Sequence, residues 1–349
     1  MNRIERHHQR RMGQWLMVCC LVLFVLVMLG GATRLTGSGL SMVEWQPVTG
    51  VIPPTSEETW MREFNAYRQS PEYQKVNRGM SLDEFKVIYW FEFGHRLLAR
   101  SLGLVFAVPL AWFWWRGWIS RRLRWPLLGL LGLGALQGWM GWYMVQSGLV
   151  DIPRVSPYRL AAHLSLALII FAIMFRLALG LLWPAEPARR RPPLRLWTRT
   201  VLILVALTVF VGAFVAGLRA GHIYNDFPLM AGRWIPEGIL GLEPLWRNLF
   251  ENPATVQFLH RLLGLSTLAV IALAWYRAIV GHQAAAGQRR VFHLLLAAGF
   301  AQVVLGIATL MLYVPVALGT LHQGGAVVVL AAALAAHYRA SRGPDPALL

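Results

Sequence analysis

The sequence predicts an all-α polytopic membrane protein: eight transmembrane helices in two tandem, pseudo-twofold-related four-helix bundles, with N-in and C-in topology. Three observations predict it. Only 14% of the 349 residues are charged, against about 25% in a soluble domain. Eight apolar runs approach or exceed the roughly 20 residues that cross a bilayer. Motifs of the first half recur in the second. The first observation alone excludes an ordinary soluble enzyme.

The first run, 12–34, follows Arg3, Arg6, Arg10 and Arg11 and is uncharged from Met12 to Thr33. It is longer than a signal h-region and has no convincing A-x-A cleavage site, so it reads as a retained helix. Runs 87–115 and 125–147 flank Arg116, Arg121, Arg122 and Arg124. Runs 159–183 and 200–218 flank Arg189, Arg190, Arg191, Arg195 and Arg199. Runs 255–280 and 291–312 flank Arg289 and Arg290, and the last run, 317–338, precedes Arg339 and Arg342. These clusters fall on alternate loops, and Lys/Arg-rich loops stay cytoplasmic. The excess of 33 basic over 16 acidic residues, +17, therefore reads as topology and not as a nucleic-acid surface.

The opposite side receives two long loops, 35–86 and 219–254, rich in Gly, Pro, Trp and acidic residues. The first carries Glu44, Glu57, Glu58, Glu63, Glu72, Asp83 and Glu84, and loops of this length are usually functional. Pro184 to Pro193 reads as the linker, which divides the chain into 1–187 and 188–349. The two cysteines, Cys19 and Cys20, are adjacent in the first span, so no disulfide framework or CxxC metal site is available.

Phe93-Gly94-His95-Arg96-Leu97-Leu98 recurs as Phe258-Leu259-His260-Arg261-Leu262-Leu263, and Gln137 with Gly141 recurs as Gln302 with Gly306. Both offsets are 165 (258 − 93 and 302 − 137). His163 and His322 match at 159 (322 − 163). The loops echo too: Gly37-Ser38-Gly39, Trp45-Gln46-Pro47 and Ile52-Pro53 answer Arg219-Ala220-Gly221, Phe227-Pro228 and Ile235-Pro236. Each half starts on the same side, so the repeats are parallel, related by an axis near the membrane normal.

Ligand-type residues inside a span are costly and functional by default. His95, His163, His260 and His322 lie on spans two, four, six and eight, near the end where each enters from the outer side. At 1.5 Å per residue all four sit at a similar depth, on the order of 10 Å below the outer boundary. Two imidazoles per half, facing into a four-helix bundle, suit the two axial positions of a haem iron. Zinc is the competing ligand, but it wants three or four ligands in a tetrahedron, and no Cys or third His repeats nearby. His7, His8, His282, His293 and His337 belong to the cytoplasmic tail or helix ends. His222 abuts the second long loop without a counterpart in the first half.

Arg96 and Arg261 follow two of the candidate ligands and have two readings: forked hydrogen bonds to haem propionates, or snorkelling to the outer interface. Arg34 and Arg219, at the loop entrances, have the same two. Glu92 stands three residues before His95, on the same helix face, whereas the equivalent position before His260 is Gln257. A carboxylate beside one site and an amide beside the other points to chemistry in the first half and a permanent cofactor in the second. The alternative is an exposed Glu92–Arg96 helix pair worth about 0.2–0.5 kcal/mol.

Gly30-Gly31-Ala32-Thr33-Arg34-Leu35-Thr36 with Ser38-Gly39-Leu40-Ser41, then Glu92-Phe93-Gly94-His95-Arg96, resemble the heme A synthase family. So do Gly217-Leu218-Arg219-Ala220-Gly221, Asn225-Asp226-Phe227-Pro228-Leu229-Met230 and Leu259-His260-Arg261. The resemblance covers nearly the whole chain. It implies oxidation of the C8 methyl of haem O to the formyl group of haem A, for cytochrome c oxidase assembly. It further implies His95 and His163 at the substrate haem, Glu92 as the catalytic carboxylate, and His260 with His322 as axial ligands of a haem b cofactor. Some members carry cysteine pairs in the outer loops; this chain has none there and resembles the proteobacterial and mitochondrial-type branch. The implied setting is the bacterial inner membrane with the long loops periplasmic. The implied partners are the lipid bilayer, haem O synthase, cytochrome c oxidase assembly proteins, an electron acceptor of unknown identity and a second copy of the chain. Two rivals stand open: a di-haem b-type electron-transfer cytochrome, and a haem carrier that leaves haem O unchanged.

Overall fold

The computed structural model describes residues 3–44, 50–149, 153–183 and 194–341. The linker 184–193 with its arginines and the 187/188 boundary, Trp45-Gln46-Pro47 and Arg342 lie outside the described residues. Among the described residues there are eleven α-helices, in the order α1 Arg3–Leu35, α2 Glu57–Arg68, α3 Pro71–Lys75, α4 Leu82–Trp115, α5 Arg121–Gln146 and α6 Pro157–Leu182 in the first half. The second half continues with α7 Leu194–Gly217, α8 Asn248–Glu251, α9 Pro253–Ile279, α10 Ala286–Met311 and α11 Val316–Ala340.

Eight of these are long, and each covers one of the expected runs. Seven of them contain a stretch long and apolar enough to cross a membrane. The eighth, α5, has the length, but its Gly, Trp and Gln residues keep its hydropathy lower. Several helices extend beyond the expected spans; α1 starts at Arg3 because basic residues prolong a helix past the apolar stretch. The starts carry local signals. Ser81 and Glu84 close a capping box at α4, with the Ser81 amide donating to Glu84 Oε2 at 2.8 Å. Asn252 Oδ1 accepts from the amides of Ala254 and Thr255 at the start of α9, where Pro253 occupies the first turn. At the end of α4, Gly117 adopts a left-handed conformation with φ 67°, and the Trp118 amide donates back to Phe113 O at 3.0 Å, a Schellman stop.

In the first half α1 packs on α4 and α6, and α5 packs on α6; in the second, α7 packs on α9 and α11, and α10 packs on α9 and α11. The halves meet where α1 lies on α11 and α6 lies on both α7 and α11. At this junction Gln323 Nε2 donates to Val27 O at 2.7 Å, and Gly31 leaves room for the Gln323 amide. One seam breaks the likeness. α4 barely touches α5, while their counterparts α9 and α10 pack along their length.

All eight long helices contribute to one apolar core, through Leu16, Leu110, Leu127, Met174, Val201, Ile271, Phe292 and Ala333, among others. It sits toward the end from which α1 starts. At the opposite end the first long loop is not irregular: α2 and α3 lie over the start of α4 and bury Phe64, Tyr67, Phe85 and Tyr89 in an aromatic cap. A smaller cluster of Ala161, Ala213, Phe214 and Val256 joins α6, α7 and α9 toward the same end. The four histidines lie between core and caps.

Candidate functional site

Each histidine has a glycine of a neighbouring helix against its ring. A Cβ added at Gly30 on α1 would stand 3.0 Å from His95 Nε2, and one at Gly141 on α5 would stand 3.2 Å from His163 Cε1. In the second half, Gly212 on α7 and Gly306 on α10 would approach Cε1 of His260 and His322 to 2.8 and 2.7 Å. Only glycine admits an imidazole this closely, which is a backbone requirement rather than a flexibility one. The recurrence of Gly141 as Gly306 carried that signal in the sequence; Gly30 and Gly212 went unread.

The rings are oriented by polar contacts. Gln137 Nε2 lies 3.2 Å from His163 Nδ1, 3.3 Å from its Nε2 and 3.1 Å from its carbonyl oxygen. Gln302 repeats the arrangement on His322, at 3.2 Å from Nδ1 and 2.9 Å from the carbonyl. His260 Nδ1 lies 3.1 Å from Thr208 O, so it donates there and leaves the lone pair on Nε2, an arrangement that suits a metal-binding imidazole.

His260 and His322 are neighbours, with ring centroids 6.4 Å apart and planes nearly perpendicular at 87°. Two imidazoles sharing one ion through bonds of about 2 Å would have centroids roughly 6 Å apart. The pair therefore fits a two-ligand metal such as a haem iron. His95 and His163 are likewise close enough for their charges to interact. Among the described residues, no group of three or more His, Cys, Asp or Glu side chains is placed to hold a metal ion, and a tetrahedral zinc site lacks its ligand set.

The carboxylate beside the first pair is not a solvent-facing helix residue. Glu92 is 3% exposed and Arg96 8%. Glu92 Oε2 accepts from Ser41 Oγ at 2.8 Å and from the Met42 amide at 2.9 Å, while Oε1 accepts from Arg96 Nη2 at 2.5 Å. Arg96 also donates to Met42 O at 2.9 Å and to Glu44 O at 3.2 Å. The exposed-pair alternative is thus corrected: the pair exists, but it is buried and clamps the start of the first long loop to α4.

Arg261 plays the matching part in the second half, donating to Tyr224 O, Asp226 O and Leu229 O, each at 2.9 Å. Gln257 Nε2 donates to Tyr224 O at 2.9 Å. Neither Arg96 nor Arg261 snorkels. Arg34 and Arg219 lie close enough for their charges to repel, and neither forms an ion pair among the described residues.

Spacing gives Ser41 and Met42 no role beside Glu92, because a serine hydroxyl and a backbone amide leave no trace in it, and it does not pair Glu72 with Tyr67. Glu72 on α3 is buried, and its Oε2 accepts from the Tyr67 hydroxyl at 3.1 Å, while Asn77 Nδ2 donates to that hydroxyl at 2.7 Å. Burial pushes the Glu72 carboxyl up to about 7; the Tyr67 hydrogen bond opposes this, the charge of Glu92 adds to it, and Arg219 opposes it. The remaining histidines make ordinary contacts: His8 stacks on Trp118, His293 accepts from Trp275, and His337 meets Thr198.

Residues 13–334 match the model of a family described as cytochrome oxidase assembly protein. The chain is 47% identical over 346 residues to the heme A synthase of Rhizobium meliloti (strain 1021), covering 99% of this chain and 93% of that protein. The chain belongs to the heme A synthase family. Other members of the family include the heme A synthase of Nitrosospira multiformis, 48% identical over 93% of this chain and 92% of its own length. That of Rhodospirillum centenum is 50% identical over 90% and 84%.

Proposed function

We propose that the chain oxidises the C8 methyl group of haem O to the formyl group of haem A, for cytochrome c oxidase, within a bacterial inner membrane. All eight long helices cross it, N-in and C-in, with the outer loops periplasmic. Residues 1–187 form the substrate half, with His95 and His163 on haem O; residues 188–349 form the cofactor half, in which His260 and His322 would hold a haem b. The observation that carries this division is the buried carboxylate Glu92 beside one histidine pair and the amide Gln257 beside the other, in a chain of this family. The loose α4–α5 seam supports it, since a substrate must enter and leave each cycle and a resident cofactor need not.

When bound, the haem iron supplies the redox chemistry. The residues of this chain supply orientation, charge and a dry pocket. His95 and His163 fix the macrocycle between α4 and α6, and Gly30 and Gly141 give their rings room. Glu92, fixed by Ser41, Met42 and Arg96, presents one carboxylate at a set position to take a proton from, or balance positive charge on, the reacting methyl group. Assistance of this kind contributes about 10²–10⁴-fold. Arg34 and Arg219, two cations without a paired carboxylate among the described residues, are the propionate contacts; Arg96 and Arg261 are occupied mainly by loop carbonyls.

Haem extraction and chromatography test the proposal. Membranes that receive haem O together with this chain should contain haem A, and membranes without the chain should not. Two stoichiometric b-type haems and no formyl product would identify an electron-transfer cytochrome instead, and unchanged haem O would identify a carrier.

A further inference from the structure

Among the described residues two carboxylates are buried, Glu92 and Glu72, and both belong to the first half. Glu92 has donors on both oxygens, so a proton arriving there must displace one of them or move on. Glu72 accepts a single side-chain hydrogen bond, from Tyr67. Tyr67 is fully buried, with its ring stacked on Phe85 at 5.1 Å. Phe85 precedes Glu92 by seven residues on α4 (92 − 85), which places it about 10 Å nearer the outer end of the helix. The Tyr67–Glu72 pair therefore lies between Glu92 and the outer aqueous phase.

We propose that Glu72, held by Tyr67, exchanges protons between Glu92 and the water outside the membrane while the methyl group is oxidised. This rests on reading the first half as the reaction site. In the step, an O–H bond at Glu92 breaks as one forms at Glu72, through an intervening water, with no change in electron count. Glu72 then releases the proton outward and returns to the carboxylate. The charged and titratable groups that act on Glu72 are Tyr67 from α2, Glu92 from α4 and Arg219 from the loop after α7. Together they leave its carboxyl near 7, where both forms are populated. Glu72 is a relay rather than a catalytic residue, because it does not touch the substrate. The second half has no buried carboxylate among its described residues and no comparable relay.

The test is haem A formation from haem O in membranes over a pH series, for the parent chain, Glu72→Gln and Tyr67→Phe, with haem b content measured in parallel. The parent rate should fall as pH drops through about 7, as Glu72 becomes protonated. Glu72→Gln should lose at least about tenfold in rate and lose that acid limb, with haem b unchanged. Tyr67→Phe removes the hydrogen bond that favours the Glu72 carboxylate, so its acid limb should move to higher pH. An unaltered rate and profile in Glu72→Gln overturns the relay. If Glu72→Gln does not accumulate, an unshifted limb in Tyr67→Phe overturns it. No haem A from the parent chain overturns the functional reading itself, separately from the relay.

Discussion

The two long loops are tied down at equivalent places by chemically opposite means. In the second half the residues at these positions donate outward from the helix: Gln257 and Arg261 donate to the carbonyls of Tyr224, Asp226 and Leu229. In the first half the loop donates inward, from Ser41 and the Met42 amide to Glu92, and only Arg96 donates outward. An amide and a guanidinium suffice to hold a loop. The first half does the same task with a buried negative charge, which is costly unless paired and hydrogen-bonded. A buried carboxylate that loop packing does not need, present on one side of a duplicated frame, is the asymmetry on which the proposed division between a reacting half and a cofactor half rests.

The strongest way to break that comparison is Glu92→Gln, which gives the first half the residue type of the second. Haem A formation should fall about 10²–10⁴-fold while the haem b proposed for His260 and His322 stays at parental level; full turnover with normal haem content would remove Glu92 from the reaction. Arg261→Leu leaves the carbonyls of Asp226 and Leu229 without their Arg261 donor, while Tyr224 O keeps Gln257, at about 1–3 kcal/mol for each one that water cannot reach. Thermal unfolding in detergent should register that loss, and an unchanged midpoint would mean the clamp is redundant.

The glycines sharpen the contrast more finely. Gly306→Ala would drive a methyl to 2.7 Å from His322, whereas Gly141→Ala would stop at 3.2 Å from His163. Bis-histidine haem absorbance should therefore drop further for Gly306→Ala, and the reverse order would show that the rings yield more easily than the helices. The smallest expected effect is Arg233→Ala. Its partner Glu237 is 75% exposed and Arg233 itself 62%, so loss of the pair should change stability by less than about 1 kcal/mol.

Much of this was legible because a membrane imposes strong rules. Spanning length wrote out the eight long helices, the duplication matched His95 with His260 and His163 with His322, and the Glu92/Gln257 difference was plain in the text. The helical cap was not legible. The 35–86 stretch reads as polar loop, and α2 and α3 form there because their aromatic faces find α4, a partner far away in sequence. The roles of Arg96 and Arg261 were also hidden, since spacing places a guanidinium on a helix face without saying which carbonyls a folded loop brings to it.

The sequence by itself determined the span pattern, the duplication, the four ligand-type histidines and the family, because hydropathy, repeat spacing and identity are properties of residue order. Tertiary structure alone decided that Glu92 and Arg96 are buried together, that glycines of neighbouring helices press on all four imidazoles, and that Glu72 meets Tyr67 outside Glu92. Burial and hydrogen bonding depend on which distant segments share space, and a desolvated charge changes its chemistry only once that packing exists.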